Sequence, residues 1–317
     1  RNNMAGLGNS NHQNRTVSAN FIPTLWSDEV IGAYKQNLVL ANLVTKMSHK
    51  GKKGGTIKIP VPARGAATAK AADTQVNLIQ DTAGVVTITI DKHYEYSKLI
   101  EDIAEVQALS SMRKFYTDDA GYALANQVDD DLFALGEALQ GGTAGGTGAA
   151  LWEKAVRGGD GTTLFDGSTS GGGATDIQDA GIRRMILTLD NSDVPMDNRC
   201  LVIPPVAAND MLAITRFTEQ QFIGNGDAIK TGKIGQIYGV DIFVTNNCPT
   251  VSPASGANAR IGLLLHKDAL VFAEQVGVRS QTQYKQEYLG DLFTADTIYG
   301  VGELRNDAGI AFAVPVS

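Results

Sequence analysis

Acid–base, nucleophilic or metal chemistry needs histidine, cysteine, serine or carboxylate side chains at intervals that a helix or strand brings together. The chain has four histidines, His12, His49, His93 and His266, and no two of them stand a helical or strand interval apart. Its two cysteines, Cys200 and Cys248, form no CxxC pair and have no histidine at ligand spacing. They read as reduced thiols that pack as small apolar groups. "GSTSG" at 167–171 has the outline of a nucleophile elbow, but its central residue is Thr169 and no strand-then-helix frame surrounds it. "GGTAGGTG" at 141–148 has the glycine content of a phosphate loop without its Lys-Ser/Thr ending, and it follows a helical pattern where such a loop follows a strand. It reads as a helix stop and connector. Asp129, Asp130 and Asp131 put three carboxylates on one part of a helical wheel, an edge expected to face solvent or another copy of the chain. A divalent cation wants oxygens from several directions. No catalytic residue, metal or cofactor is predicted, and the chain does not read as an enzyme.

The strongest local signal is a charge pattern. "KMSHKGKKGGTIKIPVPARGAATAK", residues 46–70, holds seven Lys or Arg and no acid, in a chain of net charge -7. Lys50, Lys52, Lys53, Lys58, Arg64 and Lys70 could meet phosphates, but no aromatic side chain lies among them to stack a base. The stretch is not a basic amphipathic helix of the membrane-surface kind. With 34 acidic against 27 basic residues, the average surface repels polyanions. Pairing of this basic arm with the acidic surface of an identical neighbour accounts for the imbalance most economically.

Composition fits a globular protein, 43% hydrophobic and 19% charged. No stretch approaches the roughly 18 apolar residues of a membrane span. Residues 1–15 lack the apolar core of a signal peptide, so the chain is expected to be made and kept in the cytosol.

The elements that would position the basic arm follow from periodicity. Residues 1–20 are polar and Asn-rich with little to bury. "FIPTLWSDEVIGAYKQNLVLANLV" predicts an extended start and then a helix capped by Ser27, with a wide apolar face from Val30 to Val44 that needs a partner. "GTIKIPVP" and "AGVVTITIDKHYEYSKL" alternate with period two and predict a long hairpin, which alone in water would be marginal. Residues 101–140 predict one long helix with Leu124, Val128, Leu132, Leu135 and Leu139 as its core seam, extended upstream through Leu109, Met112 and Tyr116. A helix from Thr175, a buried strand "RCLVIPP", a short helix at 206–214, strands "QIYGVDIFVTNN" and "ARIGLLLH", and a strand-rich final portion complete an α+β chain.

This order of parts resembles the major capsid proteins of tailed bacteriophages, the Hong Kong 97 coat fold, and among them those of podoviruses. The likeness rests on "FIPTLWSDEVIGAYKQNLVLANLV", "GGTIKIPVPARGAATAKAAD", "ITIDKHYEYSKLIEDIAEVQA" and "DLFTADTIYGVGELRNDAGIAFAVP". It implies an N-terminal arm at 1–48 and an extended loop at 49–97. A peripheral domain at 98–171 with its spine helix, an axial domain at 172–275, peripheral strands at 276–306 and a C-terminal axial strand at 307–317 would follow. Phe21, Trp26 and the six cationic residues named above would then touch neighbouring subunits. The resemblance further implies pentamers and hexamers of the chain in an icosahedral shell around double-stranded DNA. Scaffolding and portal proteins, and a decoration protein in some relatives, would be partners, with assembly in the host bacterial cytoplasm and residence in the virion. Some relatives join neighbours through Lys and Asn side chains, but the Lys, the Asn and the acid of that reaction match no positions here. The competing expectation is a DNA-associated or decoration protein outside the main lattice.

Overall fold

The computed structural model describes residues 39–51, 53–61, 65, 67–76, 78, 84–101, 111–141, 156–165, 173–214, 235–251 and 258–316. Phe21, Trp26, Lys52, Arg64, Leu109 and the helix expected from Ser27 to Leu38 lie outside these residues.

The strands divide into three sheets. Strands β6 (Arg199–Ile203), β10 (Ala259–His266) and β13 (Gly309–Pro315) are almost wholly buried, which is why they read as unbroken apolar runs and not as alternations. They form the middle of a seven-stranded sheet in the order β5-β13-β10-β6-β8-β7, with β5 at Arg157–Gly158, β7 at Gln236–Ile237 and β8 at Val240–Val244; β9 (Thr250–Val251) pairs with β10. Helix α3 (Asp179–Asn191) contributes Ile182, Met185 and Leu189 to its core, and α4 (Pro205–Ala213) contributes Ala207 and Met211. Between them, β6 and β8 run parallel, as strands do when a helix occupies the connection.

A four-stranded sheet has the order β1-β11-β12-β4. Its spine is the hairpin of β11 (Leu270–Lys285) and β12 (Gly290–Glu303), with β4 (Lys92–Glu101) antiparallel on one side. On the other side, β1 (Thr45–Ser48) runs parallel to Val271–Glu274. Register shifts between Glu274 and Arg279 divide β11 into a basal and a distal half. The third sheet is a two-stranded ribbon, β2 (Thr56–Val61) with β3 (Gly84–Thr89).

Two expectations change here. "AGVVTITIDKHYEYSKL" is not one strand. Ile90 N–H donates to Gly55 O at 2.8 Å, closing the base of the ribbon, and the chain restarts at Lys92 as β4. Lys92–Ser97, placed with the extended loop on sequence grounds, therefore pair with β12. The first helix, expected to carry its apolar face as far as Val44, has only its last residues among those described: α1 (Leu40–Leu43) ends before Val44, which is extended and leads into β1. The greasy residues Val39, Leu40 and Val44 pack in the subunit's own main core.

The long helix α2 spans Ser111–Gly136, 26 residues, or about 39 Å at 1.5 Å per residue. Ala120 and Leu124 pack with Phe293 and Ala295 over the distal part of the four-stranded sheet. One and two turns on, Val128, Leu132 and Phe133 enter the main core with the seven-stranded sheet. A single apolar stripe at spacing four thus ties both sheets to one rod. Leu135 is only half-buried, and Leu139 is buried in a 3-10 turn (Leu139–Gly141) past the helix end.

Candidate assembly surface

The ribbon is fixed at its base. Ile88 and Ile90 are buried against Val271 and Ala273, with Met47, Ile57, Ile59 and Ile298 packed around them. Two glycines of β12 form the seat: a Cβ on Gly300 would run into the carbonyl of Thr89, and one on Gly302 would sit 3.1 Å from the Ile88 side chain. Only residues without a side chain allow the second layer to come this close. Lys50 adds an ion pair to Glu274 at 2.9 Å, and Gln275 Nε2 donates to Gly54 O at 3.2 Å.

Beyond the base most of the described side chains are exposed. Val61 and Val85 are exposed, and every described residue between 65 and 78 is exposed, with Val76 at 62% and Leu78 at 93%. Lys53, Lys58 and Lys70 are also exposed. Lys50 retains 57% of its side-chain exposure despite its partner Glu274 in the same subunit. The ribbon and the described residues between its strands therefore combine exposed aliphatics with exposed cations.

The sheet beneath is stiffened across three strands. Arg279 on β11 donates from Nε and Nη2 to the two oxygens of Asp296 on β12 at 2.8 and 2.7 Å, and His93 of β4 reaches the same carboxylate at 3.1 Å. Arg279 hydrogen bonding, helped by His93 and opposed by desolvation, holds the Asp296 carboxyl down at about 2. A depressed carboxylate stabilises the fold above its unfolded value near 4, and that contribution disappears as pH falls toward 2. Asp296→Asn is accordingly expected to lower the thermal midpoint at pH 7 and to flatten its fall between pH 4 and 2. Identical melting-versus-pH curves for wild type and variant would contradict this role.

Two carboxylates of the acidic run on α2, expected as an edge facing solvent or another copy of the chain, instead bond within the subunit. Asp129 is fully buried and accepts backbone N–H groups from the segment around α1. Asp131 accepts the Tyr299 hydroxyl at 2.6 Å and pairs with Lys92 at 3.2 Å. Burial first, and the Asp131 carboxylate next, push the Tyr299 phenol well above its usual value. Only Asp130 is exposed, and it accepts from Asn126 Nδ2 at 3.0 Å. The partners of Asp129 and Asp131 come from segments distant in sequence, so no local signal could have placed those two carboxylates inside.

Among the described residues the remaining candidates do not converge on a reaction centre; His12, Thr169 and residues 142–148 lie outside them. Cys200 and Cys248 are buried, and desolvation pushes both thiols up to about 12. His266 Nδ1 accepts the Asp268 N–H at 3.2 Å in a turn. Among the described residues no three His, Cys, Asp or Glu side chains gather at metal-binding geometry, and no helix is long and apolar enough to cross a membrane. An open depression of about 400 Å³ lies among Asn42, Val44, Thr45, Lys46, Lys267 and Asp268, where Thr45 Oγ1 donates to Asp268 Oδ1 at 2.9 Å.

A long helix, a four-stranded and a seven-stranded sheet and a two-stranded ribbon are the parts of the described α+β fold. The sequence profile described as "Phage capsid protein" matches residues 17–303. The chain belongs to the phage capsid protein family, and it is a major capsid protein. No curated protein matches it in sequence. Among solved structures, that of Mycobacterium phage Che8 is 24% identical with a TM-score of 0.71, over 92% of this chain and 97% of the other. The capsid of Cyanophage P-SCSP1u is 20% identical with a TM-score of 0.74, over 100% and 99%. The mature capsid of bacteriophage PhiM1 is 14% identical with a TM-score of 0.68, over 93% of each chain. At these identities the likeness establishes a shared fold of the Hong Kong 97 type.

Proposed function

We propose that copies of this chain close into an icosahedral phage head, each laying its ribbon over the next subunit. The observation that supports this most is the split character of the ribbon. Ile88 and Ile90 are locked into the subunit's own core, while Val76 and Leu78 project with nothing over them. Interfaces of the permanent kind bury about 2,000 Å² or more and are apolar at the centre, and thin projecting elements supply such area at little cost to the body. Lys53, Lys58 and Lys70 would then meet carboxylates of the neighbour, with Phe21, Trp26, Lys50, Lys52 and Arg64 as further contacts. In this reading residues 1–48 act as an arm, the ribbon as the extended loop, the four-stranded sheet with α2 as the peripheral domain, and the seven-stranded sheet as the axial domain. The role is containment of double-stranded DNA without turnover. Scaffolding and portal proteins, with a decoration protein where one is used, would direct assembly in the bacterial cytoplasm.

Electron microscopy of the purified protein across concentration tests the proposal. Shells, tubes or capsomers are expected. A persistent monomer that binds DNA with a steep salt dependence would instead place the protein outside the shell lattice.

A further inference from the structure

The segment 39–48 is attached to the body twice, by unrelated means. Residues 45–48 are laddered to β11, beginning with Thr45 N–H to Lys267 O at 3.1 Å. The backbone of residues 39–41, whose Val39 and Leu40 also pack in the main core, is bonded by one side chain of α2. Asp129 Oδ1 accepts the Ala41 N–H at 3.1 Å, and Oδ2 accepts the Val39 N–H and the Asn247 Nδ2 at 3.4 Å each. The Leu40 amide also faces this carboxylate. Val44, extended at φ -99 and ψ 165, separates the two attachments.

Asp129 is fully buried, and its contacts are amide donors. A buried carboxylate is costly unless its lone pairs are satisfied, and an apolar residue of similar volume would pack at lower cost. Burial of Leu40 in the core is non-directional and would tolerate several approaches of the chain. Two oxygens set against the amides of Val39 and Ala41 permit one. The charge therefore contributes direction.

We infer that Asp129 is a latch, pinning residues 39–41 to α2 independently of β1 and fixing the point at which residues 1–38 join the body. Because the two attachments are separate, the first can open while the sheet remains intact. Asp129→Asn keeps the size of the side chain but turns an amide nitrogen toward one of the two backbone donors, so at most one of the bonds from Val39 and Ala41 survives. Asn126 is bonded to Asp130 and not to Asp129, and Asp130 meets the cluster only through the shared donor Asn247, touching neither Val39 nor Ala41, which makes Asp130→Asn the comparison.

Hydrogen exchange on the full chain, with unassembled subunits, reads this directly. In Asp129→Asn the amides of Val39 and Ala41 are expected to exchange about ten- to a hundredfold faster, the range for losing a buried charge-assisted bond, with unchanged protection from Thr45 onward and in α2. Asp130→Asn should match wild type. Unaltered exchange at 39–41, or loss of protection that spreads through β1, would overturn the latch. If Asp129→Asn does not fold, Ala41→Pro decides the matter. It deletes one donor at a first-turn position that admits proline, and the same confined loss of protection is expected; no change at Val39 overturns the inference. The readout does not depend on shell formation, so it stands or falls separately from the assembly proposal.

Discussion

Leu132→Asp is expected to yield no folded subunit. Leu132 is fully buried where α2 enters the main core, with Phe133 beside it. A carboxylate placed there without partners costs several kcal/mol, in addition to the roughly 2–3 kcal/mol of apolar burial that is lost. Against a domain stability of about 5–15 kcal/mol, that removes much or all of the margin. Because the same helix also carries Ala120 and Leu124 against Phe293, losing its seat in the core removes one of the links between the two sheets, leaving that through Leu270 and Tyr299. Insoluble protein, or a flat thermal melt by circular dichroism, is the expected result. A soluble variant melting as wild type would mean that the helix face is misplaced. Leu135→Asp provides the graded comparison, since Leu135 is only half-buried and should be weakened, not abolished.

Lys53→Glu, Lys58→Glu and Lys70→Glu combined should leave the melt unchanged and prevent assembly. All three side chains are exposed, and exposed charges contribute little to folding. At a contact between subunits, reversed charges convert attraction into repulsion worth several kcal/mol. Each 1.4 kcal/mol is a tenfold change in association, so the concentration needed for shells should rise by about a hundredfold or more. Sedimentation velocity of wild type and triple variant at matched concentrations checks this. Shells forming at the wild-type concentration would remove electrostatics from the account of the basic arm.

Periodicity carried much of the fold, and the failures have physical causes. The spacing of Leu124, Val128 and Leu132 located the long helix and its buried stripe, because a rod packed along its length repeats its contacts every turn. The apolar run "RCLVIPP" announced a buried strand and "ARIGLLLH" a strand, which proves almost as fully buried. The break between β3 and β4 was not legible, since both halves alternate alike and only the Ile90 to Gly55 hydrogen bond, between residues far apart in sequence, ends the first. Strand β1 has four residues and owes its conformation to the edge of β11, a tertiary partner that overrides local preference. The same reasoning explains Asp129, a charge whose burial is decided by the backbone of residues 39–41. Of the proposed contact residues, the cationic arm was visible as composition, whereas its exposed aliphatic companions Val76 and Leu78 stand out only once the core is known.

The central claim is that the ribbon serves the next subunit and not its own. A cryo-electron microscopy map of the assembled particle tests it most directly. The account predicts Val76 and Leu78 covered by an adjacent copy, with Lys53, Lys58 and Lys70 facing that copy's carboxylates. A map in which the ribbon bends back onto its own sheets, leaving these side chains in solvent and the neighbours joined elsewhere, would contradict it.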